Sequence, residues 1–400
     1  MVRPRPCAYH QRDPPPSIPT GSFPETAKSM DEEADWLVDS LRLYQDLHAF
    51  ELPGPTRVLE WTDNQGVYVA GCESQKRNEV LHLLLPPKLC AENQSLCPER
   101  DFRVKHGGFS DKPVYNLKHV PETRLLVTSG PPSSSLQVWQ VAEDSDLIKT
   151  VITIALPEAE SSRWPKIAVL VSKVPQVLHG ARASGLHITD LECQKTFNMS
   201  GVSDHEEEIS SLQVLDADTF IFCCASGRLG LVDIRQKPGD CKKTIPNSGP
   251  GGEQWCAEVR SREKGPGPTV ASLSSAGQLQ LRDLRDLDHP VTTVQCPVSV
   301  PSPDRELLRV SWAPSLAGCL AISGFDGTVQ IYDTTSWERN GSHIEPLFIH
   351  KGHLFMDGTK EDTLPLVTTH SWHPSKPRTL LSAAADASLH VWDWMDPCNS

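Results

Sequence analysis

Residues 380 to 394, LLSAAADASLHVWDW, decide how the rest of the chain is read. Leu380 and Leu381 open an apolar strand, and Asp386-Ala387-Ser388 supplies a short turn. Asp and Ser suit such a reversal because their side chains satisfy nearby backbone amides. Beyond the turn, apolar Leu389 and Val391 alternate with polar Ser388 and His390, and Trp392-Asp393 follows. This period of two predicts a hairpin with one buried face. Upstream stand Gly352-His353 and Ser371-Trp372-His373-Pro374.

The pattern recurs. Leu308 to Asp333, LRVSWAPSLAGCLAISGFDGTVQIYD, sets Ser311-Trp312-Ala313-Pro314 against Ser371 to Pro374 and Asp326-Gly327-Thr328 against Asp386 to Ser388. Tyr332-Asp333 stands in the place of Trp392-Asp393. Weaker copies lie at Val67 to Leu83, Leu125 to Trp139, Val177 to Asp190, Phe220 to Asp233 and Val270 to Asp283. Each is an apolar strand, a small or polar turn and an alternating strand, which makes seven units in all.

The Gly-His pair, the Trp-x-Pro turn and the terminal Trp-Asp resemble one repeat of the WD40 family, the unit of a β-propeller blade. The resemblance implies an all-β, seven-bladed WD40-type β-propeller. It also implies a structural hydrogen-bond network through His353, Ser382, Asp386 and Trp392, with Trp312 and Asp326 as counterparts in the preceding repeat. In the second unit Pro131-Pro132-Ser133 replaces the turn Asp, so the network does not carry over there.

Further stretches narrow the resemblance to one WD-repeat subfamily, from Met30 to about Asp396. They are Asp35 to Val38 with Ser40 to Asp46, His106 to Asp111, Leu136 to Asp146 and Ser211 to Asp218. This likeness implies a non-catalytic, mainly cytoplasmic protein involved in microtubule organisation and cell division, found at the spindle and spindle poles in mitosis. It implies tubulin or microtubule-associated partners, a link to the RNA-processing Integrator complex and its subunits, and a nuclear fraction.

Composition limits the alternatives. A net charge of −13 and a pI of about 5.6 argue against nonspecific binding to nucleic acid or to an anionic membrane. The 12 cysteines include no C-x-x-C and form no regular framework. Several, such as Cys223-Cys224 and Cys319, fall inside strand patterns, where a thiol acts as a small hydrophobe. With no signal peptide recognised, they read as reduced thiols of the cytosol or nucleus. No apolar run approaches the ~20 residues of a membrane-spanning helix.

In chain order, residues 1–29 are Pro-rich and lack apolar periodicity, which predicts a disordered extension. Residues 30–46 form an N-terminal helix, its body running from Asp31 to about Gln45. Asp31 is the N-cap, and Glu32, Glu33 and Asp35 lie where the helix dipole favours negative charge. The propeller occupies residues 47–396, with the short strand Leu47 to Leu52 closing the last blade, and residues 397–400 are a tail. Gln236 to Pro268 reads as a long interblade connection with one strand-like piece, Trp255 to Val259, and Leu354 to Pro365 as an insertion.

Asp204, Glu206, Glu207, Glu208, Lys242, Lys243 and Asp357 sit in charged loop segments and are the candidate partner contacts. No phosphate loop, H-E-x-x-H helix or G-x-S-x-G elbow occurs. His350, His353, His370, His373 and His390 invite a metal reading, but alternation turns His370 and His373 to opposite faces. The expectation is therefore a monomeric interaction scaffold with no catalytic residue, cofactor, metal, membrane or direct nucleic acid. The alternative is an enzyme or small-ligand-binding propeller with a site at the central channel. A convergent set of ionisable residues on inner-strand loops separates the two. The sequence shows no such set.

Overall fold

The computed structural model describes residues 36, 38, 40, 42–71, 78–86, 101–155, 163–170, 172–199, 206–236, 242–244, 252–260, 269–337, 344–355 and 365–395. Seven four-stranded antiparallel sheets stand around a central channel, each ordered from an innermost to an outermost strand. Blade 1 comprises Thr56–Trp61, Gly66–Gly71, Asn78–Leu84 and Arg103–Ser110. Blade 2 comprises Asn116–His119, Leu125–Gly130, Ser133–Val141 and Ile148–Ile154, and blade 3 Lys166–Leu170, Gln176–Gly180, His187–Asp190 and Thr196–Asn198. Blade 4 comprises Ile209–Val214, Thr219–Cys224, Leu229–Asp233 and Lys242–Lys243, and blade 5 Trp255–Val259, Thr269–Ser274, Gln278–Asp283 and Asp286–Gln295. Blade 6 comprises Arg309–Trp312, Cys319–Ser323, Val329–Asp333 and Phe348–His350. Blade 7 comprises Val367–Trp372, Thr379–Ala384, Ser388–Trp394 and, from the other end of the chain, Tyr44–Glu51.

The seven repeated hairpins are the two middle strands of the seven blades. These strands carry the densest apolar runs because neighbouring sheets cover both of their faces. Thr379–Ala384, for example, is buried at every position. The core is accordingly divided into seven clusters, one between each pair of adjacent blades. Leu381, Ala383, Leu389 and Val391 of blade 7 pack on Leu59, Val67, Val69 and Leu83 of blade 1, and this contact closes the circle.

Tyr44–Glu51 pairs antiparallel with Ser388–Trp394, placing Leu47 opposite Trp392 and Phe50 opposite Leu389. Trp36, Val38, Ser40, Arg42 and Leu43 are helical, but Tyr44 and Gln45 are strand, so the helix stops short of the expected Gln45. Tertiary packing overrides the helical periodicity there. The buried Tyr44 ring meets Phe348 and Trp392 edge-on, and its hydroxyl lies 2.8 Å from His350 Nδ1. The extension 1–29 and the tail 397–400 lie outside the described residues.

A second correction concerns Gln236 to Pro268. Lys242–Lys243 is the outermost strand of blade 4 and Trp255–Val259 the innermost strand of blade 5, so the segment is not one long connection. In the expected insertion Leu354 to Pro365, Leu354 and Phe355 end a short helix, Gly352–Phe355, and residues 356–364 lie outside the described ones.

Candidate functional site

Blade 7 assembles four of the six network residues. The Trp392 indole donates to Ser382 Oγ at 3.1 Å, and Ser382 Oγ lies 2.8 Å from His353 Nε2. His353 Nδ1 lies 2.7 Å from Ser388 Oγ, and the Ser388 hydroxyl donates to Asp386 at 2.6 Å. Since Ser388 donates onward, it accepts from His353 Nδ1–H, and His353 Nε2 accepts from Ser382. Every proton therefore points one way, from Trp392 to Asp386. This requires a neutral imidazole, and burial beside His390 and His350 holds the His353 pKa well below the usual histidine value.

The two counterparts in blade 6 do not join such a chain. Asp326 caps its own turn, accepting from the Thr328 amide at 2.9 Å and hydroxyl at 2.6 Å. Trp312 instead clasps blade 5: its amide donates to the Glu258 carboxylate at 2.6 Å and its indole to the Glu258 carbonyl at 3.2 Å.

His350, His353 and His390 come close enough to suggest a metal centre. Their nitrogens are otherwise engaged. His353 uses both on serines, His350 meets Tyr44 and, at 3.1 Å, His390 Nδ1, and His390 Nε2 alone lacks a partner. A metal needs several free lone pairs, which this trio does not offer. His370 is remote in role, bridging Ser311 and Ser323 at 2.6 and 2.7 Å, and His373 faces the Asn64 carbonyl at 3.0 Å.

Among the candidate contacts, Glu206 pairs with Arg182 at 2.8 Å yet keeps 79% of its side chain exposed. Glu207 accepts from the Ser226 hydroxyl at 2.8 Å and from Arg228 at 3.3 Å. Glu208 turns to the mouth of the channel, where Arg305 grips it with two bonds of 2.6 and 2.8 Å and Arg163 adds a third of 2.7 Å. Lys242 and Lys243 lie apart from these, on the outermost strand of blade 4. Asp204 and Asp357 lie outside the described residues.

Ionisable residues that are scattered in the sequence converge on the channel, mostly from within the innermost strands rather than from their loops, and several pair with one another. A cavity of about 460 Å³ runs down the channel, lined among others by Glu60, Lys118, Lys166, Glu258, Glu306 and Arg309. The segment Asp304 to Glu306 ties blades together across its mouth. Asp304 meets Arg57 of blade 1 at 3.3 Å, Glu306 meets Lys166 of blade 3 at 2.6 Å, and Arg305 holds Glu208 next to blade 4. Lys166 also lies 3.7 Å from the Trp164 ring centroid. Lys118 meets Glu60 at 2.8 Å. Burial pushes the Glu258 carboxyl up to about 7.

Sequence reasoning passed over these residues because they are scattered over several blades. A signal existed all the same. Glu60 in RVLEW, Lys118 in NLKH, Lys166 in KIAVL, Glu258 in WCAEV and Arg309 in RVSW each place a charge in the short strand preceding a hairpin. Charge inside a strand pattern that begins a propeller repeat points at the channel.

No family model matches the chain. It is 65% identical over 376 residues to the Integrator complex assembly factor WDR73 of Homo sapiens, covering 92% of this chain and 99% of that protein. The Mus musculus protein of the same name is 62% identical over 368 residues, with the same two shares, 92% and 99%. The Xenopus laevis protein is 45% identical over 362 residues, covering 90% of this chain and 98% of its own length.

Proposed function

The chain belongs to the WDR73 family of WD40-repeat propellers, and on that premise we propose that it is a non-catalytic scaffold that holds subunits of the Integrator complex while that complex is assembled. The observation that carries this reading is the segment Glu206 to Glu208. Glu207 and Glu208 are pinned to the ring by Arg228, Arg305 and Arg163, so Glu206 is presented in a fixed place with most of its side chain in water. Charged groups preset on a rigid frame speed and orient association with a partner of opposite charge.

The test is capture of separately purified Integrator subunits by the full chain. Reversing Glu206 to Lys and replacing the segments 245–251 and 356–364 with Gly-Ser linkers, which leaves the blade 4 strand Lys242–Lys243 and the helix Gly352–Phe355 in place, should lower capture of at least one subunit while the melting temperature holds. Undiminished capture by all three variants rejects this surface. On the sequence resemblance we also propose a cytoplasmic protein with a nuclear fraction that associates with microtubules at the spindle poles in mitosis. Co-sedimentation with polymerised tubulin and imaging through the cell cycle check that second role, and an unshifted supernatant band would remove it.

A further inference from the structure

Not every charge of the central cavity is directly paired. Glu60, Glu208 and Glu306 each hold a basic partner, at 2.8, 2.6 and 2.6 Å. Arg309 lies in the same cavity wall and has no carboxylate at ion-pair distance among the described residues. Its Nε finds no acceptor, and one terminal nitrogen reaches the Arg57 carbonyl at a long 3.4 Å. Burial pushes its pKa below the usual guanidinium value, against the longer-range pull of Cys256, Glu306, Glu258 and Glu60. His370 cannot accept from it, because Ser311 and Ser323 occupy both ring nitrogens. A guanidinium keeps its charge at any pH where a protein folds, and it carries five donors in a planar fork. Buried donors of that strength, almost unused, describe one half of a site.

We propose that the central channel binds a small free oxyanion, a carboxylate or a sulfate-like group, on the guanidinium of Arg309, with the Glu258 carboxyl of the adjacent blade 5 as a second contact. The cavity volume of about 460 Å³ falls within the range of small-ligand sites. The guanidinium fork matches two oxygens of either anion. The site is independent of the scaffold surface at Glu206 and stands or falls separately.

Glu258 gives the site a pH response. The groups facing it are Lys118 of blade 2, Arg309 and the Trp312 amide of blade 6, and, through Lys118, Glu60 of blade 1. Its carboxyl titrates at about 7 because it is buried. Protonated, it donates to the anion; ionised, it repels it. Anion binding therefore tightens as pH falls through that value.

Thermal melts and calorimetry of the full chain with sulfate and with acetate test this, against chloride at equal ionic strength. Neither anion titrates near neutrality, so a pH effect belongs to the protein. A saturable rise in melting temperature is expected with at least one anion. Sulfate alone marks a tetrahedral ligand, acetate alone a carboxylate, and binding should be several-fold tighter at about pH 6 than at about pH 8. Arg309→Met should abolish the anion-specific rise, and Glu258→Gln should keep it while flattening the pH profile. No rise beyond chloride in the natural chain, or a rise retained by Arg309→Met, overturns the proposal. If Arg309→Met does not fold, Glu258→Gln decides: a profile that still bends near 7 overturns it.

Discussion

Ser382 has a hydroxyl that must serve two buried groups at once. It accepts from the Trp392 indole and donates to His353 Nε2, and none of the three side chains can reach water. Ser382→Ala leaves both groups unpaired, and an orphaned buried polar group costs about 1–3 kcal/mol. The expected loss is about 2–4 kcal/mol in chemical denaturation. Tyr332→Phe in blade 6 is the contrast. The Tyr332 hydroxyl donates to Gln330 at 2.6 Å and otherwise meets only the weakly hydrogen-bonding Cys296 thiol, so its removal orphans one strong acceptor. It should cost less than half as much as Ser382→Ala. Equal losses would mean that the hydrogen-bond relay of blade 7 adds nothing beyond ordinary packing.

At the scale of elements, the outermost strand of blade 1 shows what glycine does in this ring. The Gly107 amide donates to the Asp146 carbonyl of the neighbouring blade at 2.7 Å. A Cβ on Gly108 would lie 2.4 Å from the Ile148 carbonyl oxygen, so only a hydrogen fits between the two strands. Gly108→Ala must push blades 1 and 2 apart, and overpacking of this kind costs about 1–3 kcal/mol. Gly107→Ala is the control, since its nearest neighbour is a movable Leu81 methyl at 3.4 Å. The melting temperature should fall clearly for the first and little for the second. The same comparison explains what the sequence could tell. Middle strands were legible because both their faces are apolar. Lys242–Lys243 was not, being two lysines paired with Gly230 and Leu231 with no apolar period of its own. His353, Ser382, Asp386 and Trp392 were legible because the repeat fixes their spacing. Arg309 and Glu258 come together only when the innermost strands of blades 5 and 6 pack side by side, and no local period records that.

Closure itself is decided at one seam. Blade 7 takes three strands from the end of the chain and its outer strand from near the beginning, so removing either part opens a ring whose seven cores are shared between blades. Tyr44–Glu51 does more than cover an edge. Tyr44 fills the core between blades 6 and 7 beside Phe348, Trp392 and Trp394, and its hydroxyl meets buried His350. Removing residues 1–53 would expose the hydrogen-bonding edge of Ser388–Trp394 and leave a cavity of Tyr44's size next to two tryptophans. Truncating a buried aromatic costs about 3–5 kcal/mol, a large part of the net stability of a folded domain, about 5–15 kcal/mol. A bare strand edge also invites pairing between molecules. The chain beginning at Gly54 should therefore be insoluble or aggregate on heating, whereas one beginning at Met30 keeps the strand and should melt as the full chain does. Tyr44→Ala should fall between them, soluble but less stable. A synthetic peptide spanning residues 43–53, added to the Gly54 chain during refolding, should restore soluble protein by supplying the missing strand. A Gly54 chain that is soluble and melts cooperatively without the peptide would show that the other strands close the ring unaided.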